Sequence, residues 1–152
     1  MPSRRAQIEL SEDEVRAYLE ERKVMQVATM GPRGFPHVVP LWFVPDGDEL
    51  IAWTFAKSQK AKNLERDPRA TVALEDGVQY DELRGVMLEC DVELTHETDR
   101  VADVGMALAD RYGGGSEEMK EAFRKQAEKR VGMRFKPSRV VSWDHRKLGG
   151  TY

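Results

Sequence analysis

The sequence predicts a mainly β protein, an antiparallel barrel of six or seven strands with flanking helices. Short apolar segments separated by turn residues follow one another along the chain, as they do in successive hairpins. The segment from Val86 to Leu94 alternates between apolar and polar residues, which is typical of an antiparallel strand with one solvated face. Helical patterns occur only at the start, near the middle and late, whereas a parallel nucleotide-binding fold would alternate strands and helices throughout.

A helix begins the fold. Ser11 and Glu14 have the spacing of a capping box, and Leu10 and Val15 have that of a hydrophobic staple. The apolar stripe of this helix is narrow, so we expect the helix to lie on the surface of the barrel.

Strands are predicted where apolar or β-branched runs lie between turn residues. They cover Lys23 to Met30, Phe35 to Val44, Leu50 to Phe55, Arg69 to Glu75, Val86 to Leu94, Val131 to Phe135 and Arg139 to His145. Pro36 and Pro40 cannot donate ladder hydrogen bonds, so one edge of the second strand must be unpaired or irregular. Further helices are predicted over Ser58 to Arg66, where Pro68 ends the helix, and over Thr98 to Tyr112 and Ser116 to Arg130.

The length predicts a single domain over residues 1–152. No run approaches the ~20 apolar residues of a membrane span, and no apolar stretch follows the charged start, so we expect a soluble cytoplasmic protein without a signal peptide or membrane contact. The net charge of -3 argues against a dedicated nucleic-acid binder. The single cysteine, Cys90, excludes an internal disulfide and is predicted to be a core residue.

The most informative segment runs from Lys57 to Asn63 and holds three lysines around the start of the short helix. Cations oppose the dipole at a helix start, so this arrangement suits an anion bound by backbone N–H groups and ammonium groups together. Lys57 and Lys60 are three residues apart, which predicts that both reach the same phosphate. A solvated, lysine-rich helix start explains the pattern equally well.

The strands that flank this segment bring aromatic groups towards it, around Trp42 and Trp53. A planar apolar ring system with a phosphate tail fits both halves, although tryptophans in barrel strands are more often core residues. A local excess of cations from Arg134 to Lys147 suits an extended anionic ligand tail, although scattered charge explains it as well.

No catalytic or metal-binding constellation stands out in the sequence. The chain has no nucleophile elbow that would serve a catalytic triad. The three histidines, at positions 37, 96 and 145, lack metal-ligand spacing. Asp144 and Arg146 are better explained as a surface cluster at the end of a strand.

The run from Trp53 to Ala70, WTFAKSQKAKNLERDPRA, resembles the hallmark segment of the pyridoxamine 5'-phosphate oxidase-like split β-barrel superfamily. The run from Ser142 to Gly150, SWDHRKLGG, resembles the C-terminus of its deazaflavin (coenzyme F-420)-dependent reductase branch. The resemblance extends from about Glu12 to the end of the chain. It implies an antiparallel split β-barrel and a homodimer with each cofactor in a groove between subunits.

In this superfamily the segment after the third strand holds the cofactor phosphate, and the two preceding strands supply backbone to the ring. The residues that match these cofactor-binding positions are Thr54, Lys57, Ser58 and Lys60 for the phosphate and Val39, Pro40, Leu41 and Trp42 for the ring. Gln59 departs from the arginine that FMN-dependent oxidases of the superfamily commonly carry at this position, which argues against an oxidase.

The resemblance implies an oxidoreductase that passes a hydride from reduced coenzyme F-420 to an electron-poor double bond of a small organic substrate, with FMN as the alternative cofactor. Because the cofactor supplies the hydride, we assign no catalytic side chain, and the product's proton comes from solvent or from a residue such as His37. The alternatives are an FMN-dependent oxidoreductase of the same family and a non-catalytic protein that binds flavin, deazaflavin or haem.

Overall fold

The computed structural model describes residues 1–150 and contains five α-helices and seven strands. The helices are α1 (Arg4–Ile8), α2 (Glu12–Glu21), α3 (Gln59–Arg66), α4 (Thr98–Gly113) and α5 (Glu117–Gln126). The strands are β1 (Met25–Met30), β2 (Pro36–Leu41), β3 (Val44–Asp46), β4 (Glu49–Phe55), β5 (Arg69–Asp76), β6 (Arg84–Thr95) and β7 (Arg130–Asp144).

All seven strands form one antiparallel sheet in the order β2-β1-β5-β6-β7-β4-β3. The two edge strands, β2 and β3, are separated in the chain only by Trp42 and Phe43, so the sheet has to curl until its edges approach each other. The predicted fold class, an antiparallel barrel with flanking helices, is therefore confirmed.

The link between the edge strands corrects one prediction, because Phe35 to Val44 is not a single strand. The chain leaves β1 after Leu41 and joins β4 at Val44, and Phe43 between them is fully buried. The Tyr112 hydroxyl oxygen lies 3.0 Å from the Phe43 backbone nitrogen and 2.8 Å from its carbonyl oxygen, so this side chain replaces ladder hydrogen bonds at the break. As predicted, β2 is an edge strand that pairs with β1 alone.

The C-terminal strand corrects a second prediction, because the two expected strands form one continuous strand, β7. Its pairing with β6 shifts between Glu89 and Cys90, where Pro137 cannot donate a ladder hydrogen bond. The helix expected to run to Arg130 ends at Gln126 and is followed by a 3-10 turn over Ala127–Lys129. Arg130 is thus the first residue of β7.

The capping box of Ser11 and Glu14 is confirmed at the start of α2, with bonds of 3.2 and 3.0 Å. Leu10 and Val15 pack against the barrel core. At the other end of α2, Nη2 of Arg111 lies 2.9–3.1 Å from the carbonyl oxygens of Leu19, Glu20 and Arg22. A side chain of α4 therefore caps the carboxyl end of α2.

The late helical pair covers β4 through Trp53, which is 6% exposed and packs with Val101, Leu108 and Ala127. A Cβ atom at Gly105 would lie 2.6 Å from Cζ3 of Trp53. Only a glycine therefore allows α4 to approach the indole ring this closely.

Candidate functional site

A chain of hydroxyl and ammonium groups joins the end of β4 to the start of α3. Ser58 is the N-cap of α3, and its hydroxyl accepts a hydrogen bond from the backbone N–H of Ala61 at 3.1 Å. The Thr54 hydroxyl lies 3.3 Å from that of Ser58 and accepts a hydrogen bond from Nζ of Lys60 at 3.0 Å. These residues include three of the four predicted phosphate ligands.

This donor cluster of Thr54, Ser58 and Lys60 has more hydrogen-bond donors than its own acceptors use. The hydroxyls of Thr54 and Ser58 carry one proton each, and the bond between them uses only one of the two protons, whichever way it is directed. One hydroxyl proton is left over, as are two of the three protons on Lys60. The first N–H groups of α3, at Gln59 and Lys60, have no partner within the helix. Such a cluster suits an anion that accepts several hydrogen bonds at once.

Lys60 is the most unusual member of the cluster, because only 7% of the residue is exposed and no carboxylate lies within 4.0 Å among the described residues. Burial, and then repulsion from the Arg130 guanidinium, lowers the pKa of Lys60 below its usual value of 10.5. A buried ammonium is expensive unless an opposite charge accompanies it, so an anion bound here would relieve a cost that the free protein bears.

The structure separates the two lysines that were expected to share one phosphate. Lys57 is exposed and lies before the N-cap, whereas Lys60 is buried inside the first turn of α3. Helical spacing therefore does not relate them, and their common contact with an anion stays a prediction.

Arg130 is the cation that sequence reasoning missed. It pairs with Phe55 across β7 and β4, and its guanidinium carbon lies 3.8 Å from the centroid of the Phe55 ring and 4.9 Å from that of Trp53. Nη2 donates a hydrogen bond of 2.6 Å to the side chain of Gln126, while the buried Nε has no partner among the described residues. Desolvation lowers the pKa of Arg130.

A cavity of about 490 Å³ lies beside Arg130. Its walls are apolar and aromatic apart from the guanidinium, and they consist of Val24, Pro40, Leu41, Trp42, Trp53, Leu108, Phe123 and Arg130. Three of the four residues predicted to contact a ring line it, while Val39 lies outside it, opposite Val27 in the sheet. Successive residues of β4 thus belong to the two features: Trp53 lines the cavity, and Thr54 belongs to the donor cluster.

The two tryptophans have different roles. Trp53 is a core residue, which is the alternative that the sequence left open. Trp42 is 43% exposed and stacks on Tyr112, with ring centroids 4.2 Å apart and planes within 4° of parallel. Trp42 is therefore a preordered aromatic wall of the cavity.

Gln59 takes part in anchoring α3 to the sheet. Its amide nitrogen donates a hydrogen bond of 2.7 Å to Oδ1 of Asn63, which is fully buried. The Asn63 amide in turn donates to the Thr29 hydroxyl at 3.0 Å. The side chain of Gln59, an exposed residue, thus holds the buried Asn63 amide in place from the surface of the helix.

The cationic C-terminal segment does not provide free positive charge. Each of its five cations lies within 4.0 Å of a carboxylate: the partners are Asp46 and Glu49 for Arg134, Glu93 for Lys136, Glu89 for Arg139, Asp144 for Arg146 and Glu14 for Lys147. These ion pairs offset the local excess of cations, and the use of this segment by an extended anionic tail stays a prediction.

Two other residues that attracted chemical interpretations, Cys90 and Asp144, are structural. Cys90 is buried as predicted, and burial raises the pKa of its thiol to about 12. Asp144 is buried rather than part of a surface cluster, and it accepts hydrogen bonds from the backbone and side chain of Arg146. His37 does not line the cavity, and its buried Nδ1 has no partner among residues 1–150.

Within the described residues, no group of three or more His, Cys, Asp or Glu side chains is arranged to hold a metal ion. None of the helices in the same range is long and apolar enough to cross a membrane. The cytoplasmic location stays a prediction.

The comparisons with known proteins point in one direction. Residues 11–144 match the family model described as pyridoxamine 5'-phosphate oxidase. The F420H(2)-dependent biliverdin reductase of Mycobacterium tuberculosis is 31% identical over 102 residues, which are 66% of this chain and 71% of that protein.

Two solved structures share the fold at appreciable sequence identity. The conserved hypothetical protein Rv2991 of Mycobacterium tuberculosis is 41% identical with a TM-score of 0.89, and the match covers 99% of this chain and 95% of that one. A structure named F420 reductase is 25% identical with a TM-score of 0.67, covering 82% of this chain and 94% of that one.

Proposed function

The chain belongs to the pyridoxamine 5'-phosphate oxidase family, and on that premise we propose that it is a reductase dependent on coenzyme F-420. Its class of cofactor is a flavin or deazaflavin, and two similar proteins carry F420 in their names. The proposed substrate is a small organic molecule with an electron-poor double bond. FMN is the alternative cofactor.

One observation carries the proposal: a donor cluster with no carboxylate within 4.0 Å of Lys60 among the described residues and a mainly apolar cavity meet at the end of β4, where Thr54 belongs to the cluster and Trp53 to the cavity wall. A ligand with a planar ring and a phosphate chain matches both features, because the ring fits the apolar cavity and the phosphate fits the donor cluster. In the proposal, Thr54, Ser58 and Lys60 hold the phosphate, while Pro40, Leu41 and Trp42 bind the ring and exclude water from it.

When bound, the reduced cofactor would supply the hydride. The chain's own residues bind, orient and shield the reactants. Among residues 1–150, the cavity wall contains no carboxylate, histidine or cysteine, which are the side chains that ordinarily donate a proton near neutral pH. The proposal therefore assigns the product's proton to solvent or to His37, outside the cavity wall.

The preference for the deazaflavin over FMN rests on Gln59 and on the named relatives. An FMN-dependent oxidase of this family commonly has an arginine at that position, whereas Gln59 is used here to hold Asn63. The loss of one cation favours a ligand with less phosphate charge than FMN, whose phosphate is a doubly charged monoester.

We also propose a homodimer. One face of β2 is left uncovered within the chain, with Val38 58% exposed and Phe35, in the preceding turn, 74% exposed. A second copy on this face would cover the apolar side chains and complete one wall of the groove beside Pro40 and Trp42.

The test is a fluorescence titration of ligand-free protein with coenzyme F-420 and with FMN. The wild type is expected to bind the deazaflavin with micromolar or better affinity. Lys60→Met should weaken it at least about tenfold, since a charge-assisted hydrogen bond contributes about 1.5–3 kcal/mol. Lys62→Met, a matched change at an exposed lysine of the same helix, should leave affinity within about twofold. Tight binding of FMN without deazaflavin binding would refute the choice of cofactor.

A non-catalytic carrier of the same ligands is the second candidate, and the lack of an acid or base in the cavity wall favours it. Turnover distinguishes the two functions. Stoichiometric binding without reduction of any member of a broad panel of enones and quinones would establish the carrier and exclude the reductase on those substrates.

A further inference from the structure

Arg130 is the single charged side chain in the described wall of the apolar cavity. It lies opposite Phe55 in the sheet, and Trp53 is two residues before Phe55, so the three side chains share one face. The two rings pack against the guanidinium, and Gln126 accepts a hydrogen bond from Nη2. An arginine that is already held in this way loses little side-chain entropy when it binds a ligand.

The charge of Arg130 is not balanced within the described residues. Gln126 is neutral, and no carboxylate pairs with the guanidinium. Three other half-buried arginines each have a carboxylate partner: Arg84 pairs with Asp76, Arg111 with Glu20 and Arg134 with Glu49. Desolvation lowers the pKa of Arg130, which reflects the cost of keeping this cation away from water. An anionic group in the cavity would therefore relieve a cost that the free protein bears.

The composition of the wall favours a carboxylate as that anionic group. The planar fork of a guanidinium matches the two oxygens of a carboxylate. The other side chains of the wall are hydrocarbon or indole, so they add only indole N–H groups as donors. A phosphate would bring further charged oxygens for which these side chains offer few partners, and an unsatisfied buried acceptor is costly. A carboxylate on an apolar body suits both the cation and its surroundings.

The cavity also has a wall that the cofactor ring leaves free. In the proposed function the ring occupies the side formed by Pro40, Leu41 and Trp42. The remaining side is formed by β4, β7 and the late helical pair, and it includes Phe123 and Arg130. Hydride transfer requires the substrate to lie against the ring, so the substrate would contact this remaining side. The volume of about 490 Å³ is within the range of small-molecule sites.

We propose that the substrate is a small organic acid and that the Arg130 guanidinium binds its carboxylate. The apolar body of the acid, which carries the electron-poor double bond, then lies against Trp53 and Phe123. Arg130 in this way determines both the class of substrate and its orientation in the cavity. The inference rests on the proposed function for the reaction, whereas binding of an apolar carboxylate can be measured without any cofactor.

The experiment measures binding of two matched probes by isothermal titration calorimetry. One probe is para-carboxybenzylideneacetone, an enone with a carboxylate, and the other is its primary amide, which has the same double bond and no charge. Both are titrated into ligand-free protein and into protein saturated with oxidised coenzyme F-420. Arg130→Met removes the charge and keeps an unbranched side chain against the rings, while Arg130→Lys keeps the charge. The control, Arg124→Met, makes the same change at an exposed arginine next to Phe123.

The wild type should bind the carboxylate probe at least about tenfold more tightly than the amide, and Arg130→Met should remove this preference. Arg130→Lys should keep part of it, because a lysine lacks the planar fork. Arg124→Met should leave the ratio of the two dissociation constants within about twofold of the wild-type value. A wild-type ratio near one in both titrations overturns the inference. An unchanged ratio in folded Arg130→Met overturns it as well, including an equal loss of affinity for both probes, which would report packing alone.

Coenzyme binding and turnover separate this inference from the proposed function. A carboxylate preference that depends on Arg130, in a protein that binds neither coenzyme F-420 nor FMN, supports the acid site while the proposed function fails. Reduction of both probes with equal kcat/KM supports the function and overturns the inference. A KM for the carboxylate probe at least about tenfold below that for the amide, lost in Arg130→Met, supports both. Weaker coenzyme binding in Arg130→Met with an unchanged probe ratio assigns Arg130 to the cofactor and overturns the inference.

Discussion

Replacing Lys60 with methionine should stabilise the ligand-free protein while it removes the anion site. The side chain is 7% exposed, and its ammonium has one polar partner, the Thr54 hydroxyl, together with the repulsion of Arg130. Desolvation of an ion costs several kcal/mol, and the one charge-assisted hydrogen bond returns about 1.5–3 kcal/mol. Methionine has a similar length, and the Thr54 hydroxyl keeps its contact with Ser58. We expect a net gain of about 1–2 kcal/mol in the free energy of unfolding.

The assay is urea denaturation of ligand-free protein in phosphate-free buffer, repeated across pH. A gain of 1 kcal/mol corresponds to a rise of about 2–4 °C in Tm for a chain of this size. The pKa of Lys60 is lowered in the folded state, so its ammonium costs stability at neutral pH, and that cost disappears as the pH rises through the lowered pKa towards 10.5. The gain in the free energy of unfolding should therefore shrink at alkaline pH.

The control is Lys62→Met, whose free energy of unfolding should stay within about 0.5 kcal/mol of the wild-type value at every pH. A loss of about 1 kcal/mol or more in Lys60→Met at neutral pH would show that the buried ammonium stabilises the free protein, and the reasoning would be refuted.

Three further outcomes follow from the same structure. A pH titration of binding should show that affinity for the phosphate-bearing cofactor falls at alkaline pH. The fall should begin below pH 10.5, because the pKa of Lys60 is lowered in the free protein. Lys60→Arg should abolish the fall, because an arginine stays charged in this range. Gly105→Ala should lower the free energy of unfolding by about 1–3 kcal/mol in urea, since the new Cβ atom would meet Trp53, and an unchanged midpoint would contradict the packing described for α4. Arg111→Met should destabilise the protein by about 1–3 kcal/mol in the same assay, because carbonyls at the end of α2 lose their donor; Arg100→Met, at an exposed residue of the same helix, is the control.

Local signals predicted the parts of the fold and the site that depend on neighbouring residues. The start of α3 at Ser58 and its end before Pro68 were predicted because capping and proline sterics act within one turn. The alternating burial of β6 was predicted because the side-chain period of a strand is 2. The cavity residues Pro40, Leu41 and Trp42 came from a resemblance to a family, since no local rule assigns a ring to them.

Long-range contacts account for what the sequence did not predict. Phe35 to Val44 is continuous by composition, and its break at Trp42 depends on closure of the whole sheet and on the Tyr112 hydroxyl. The expected pairing of Lys57 with Lys60 applied helical spacing to Lys57, which lies before the N-cap at Ser58. Arg130 was hidden because its place in the site depends on the register between β4 and β7, which no spacing in the sequence reveals.

That register also governs when the site can form. The donor cluster lies near residue 58, and the part of the cavity wall that contains Arg130 is held beside β4 by a strand pair that closes residues 55–130, about half of the chain, into a loop. Contacts of such long range form late, because the entropy of loop closure is lost before they contribute. A ligand that needs both the donor cluster and this part of the wall therefore binds only after folding is nearly complete. The ligand should slow unfolding and leave the rate of refolding unchanged. The ligand concentration therefore sets the lifetime of the folded state and has no effect on the folding rate.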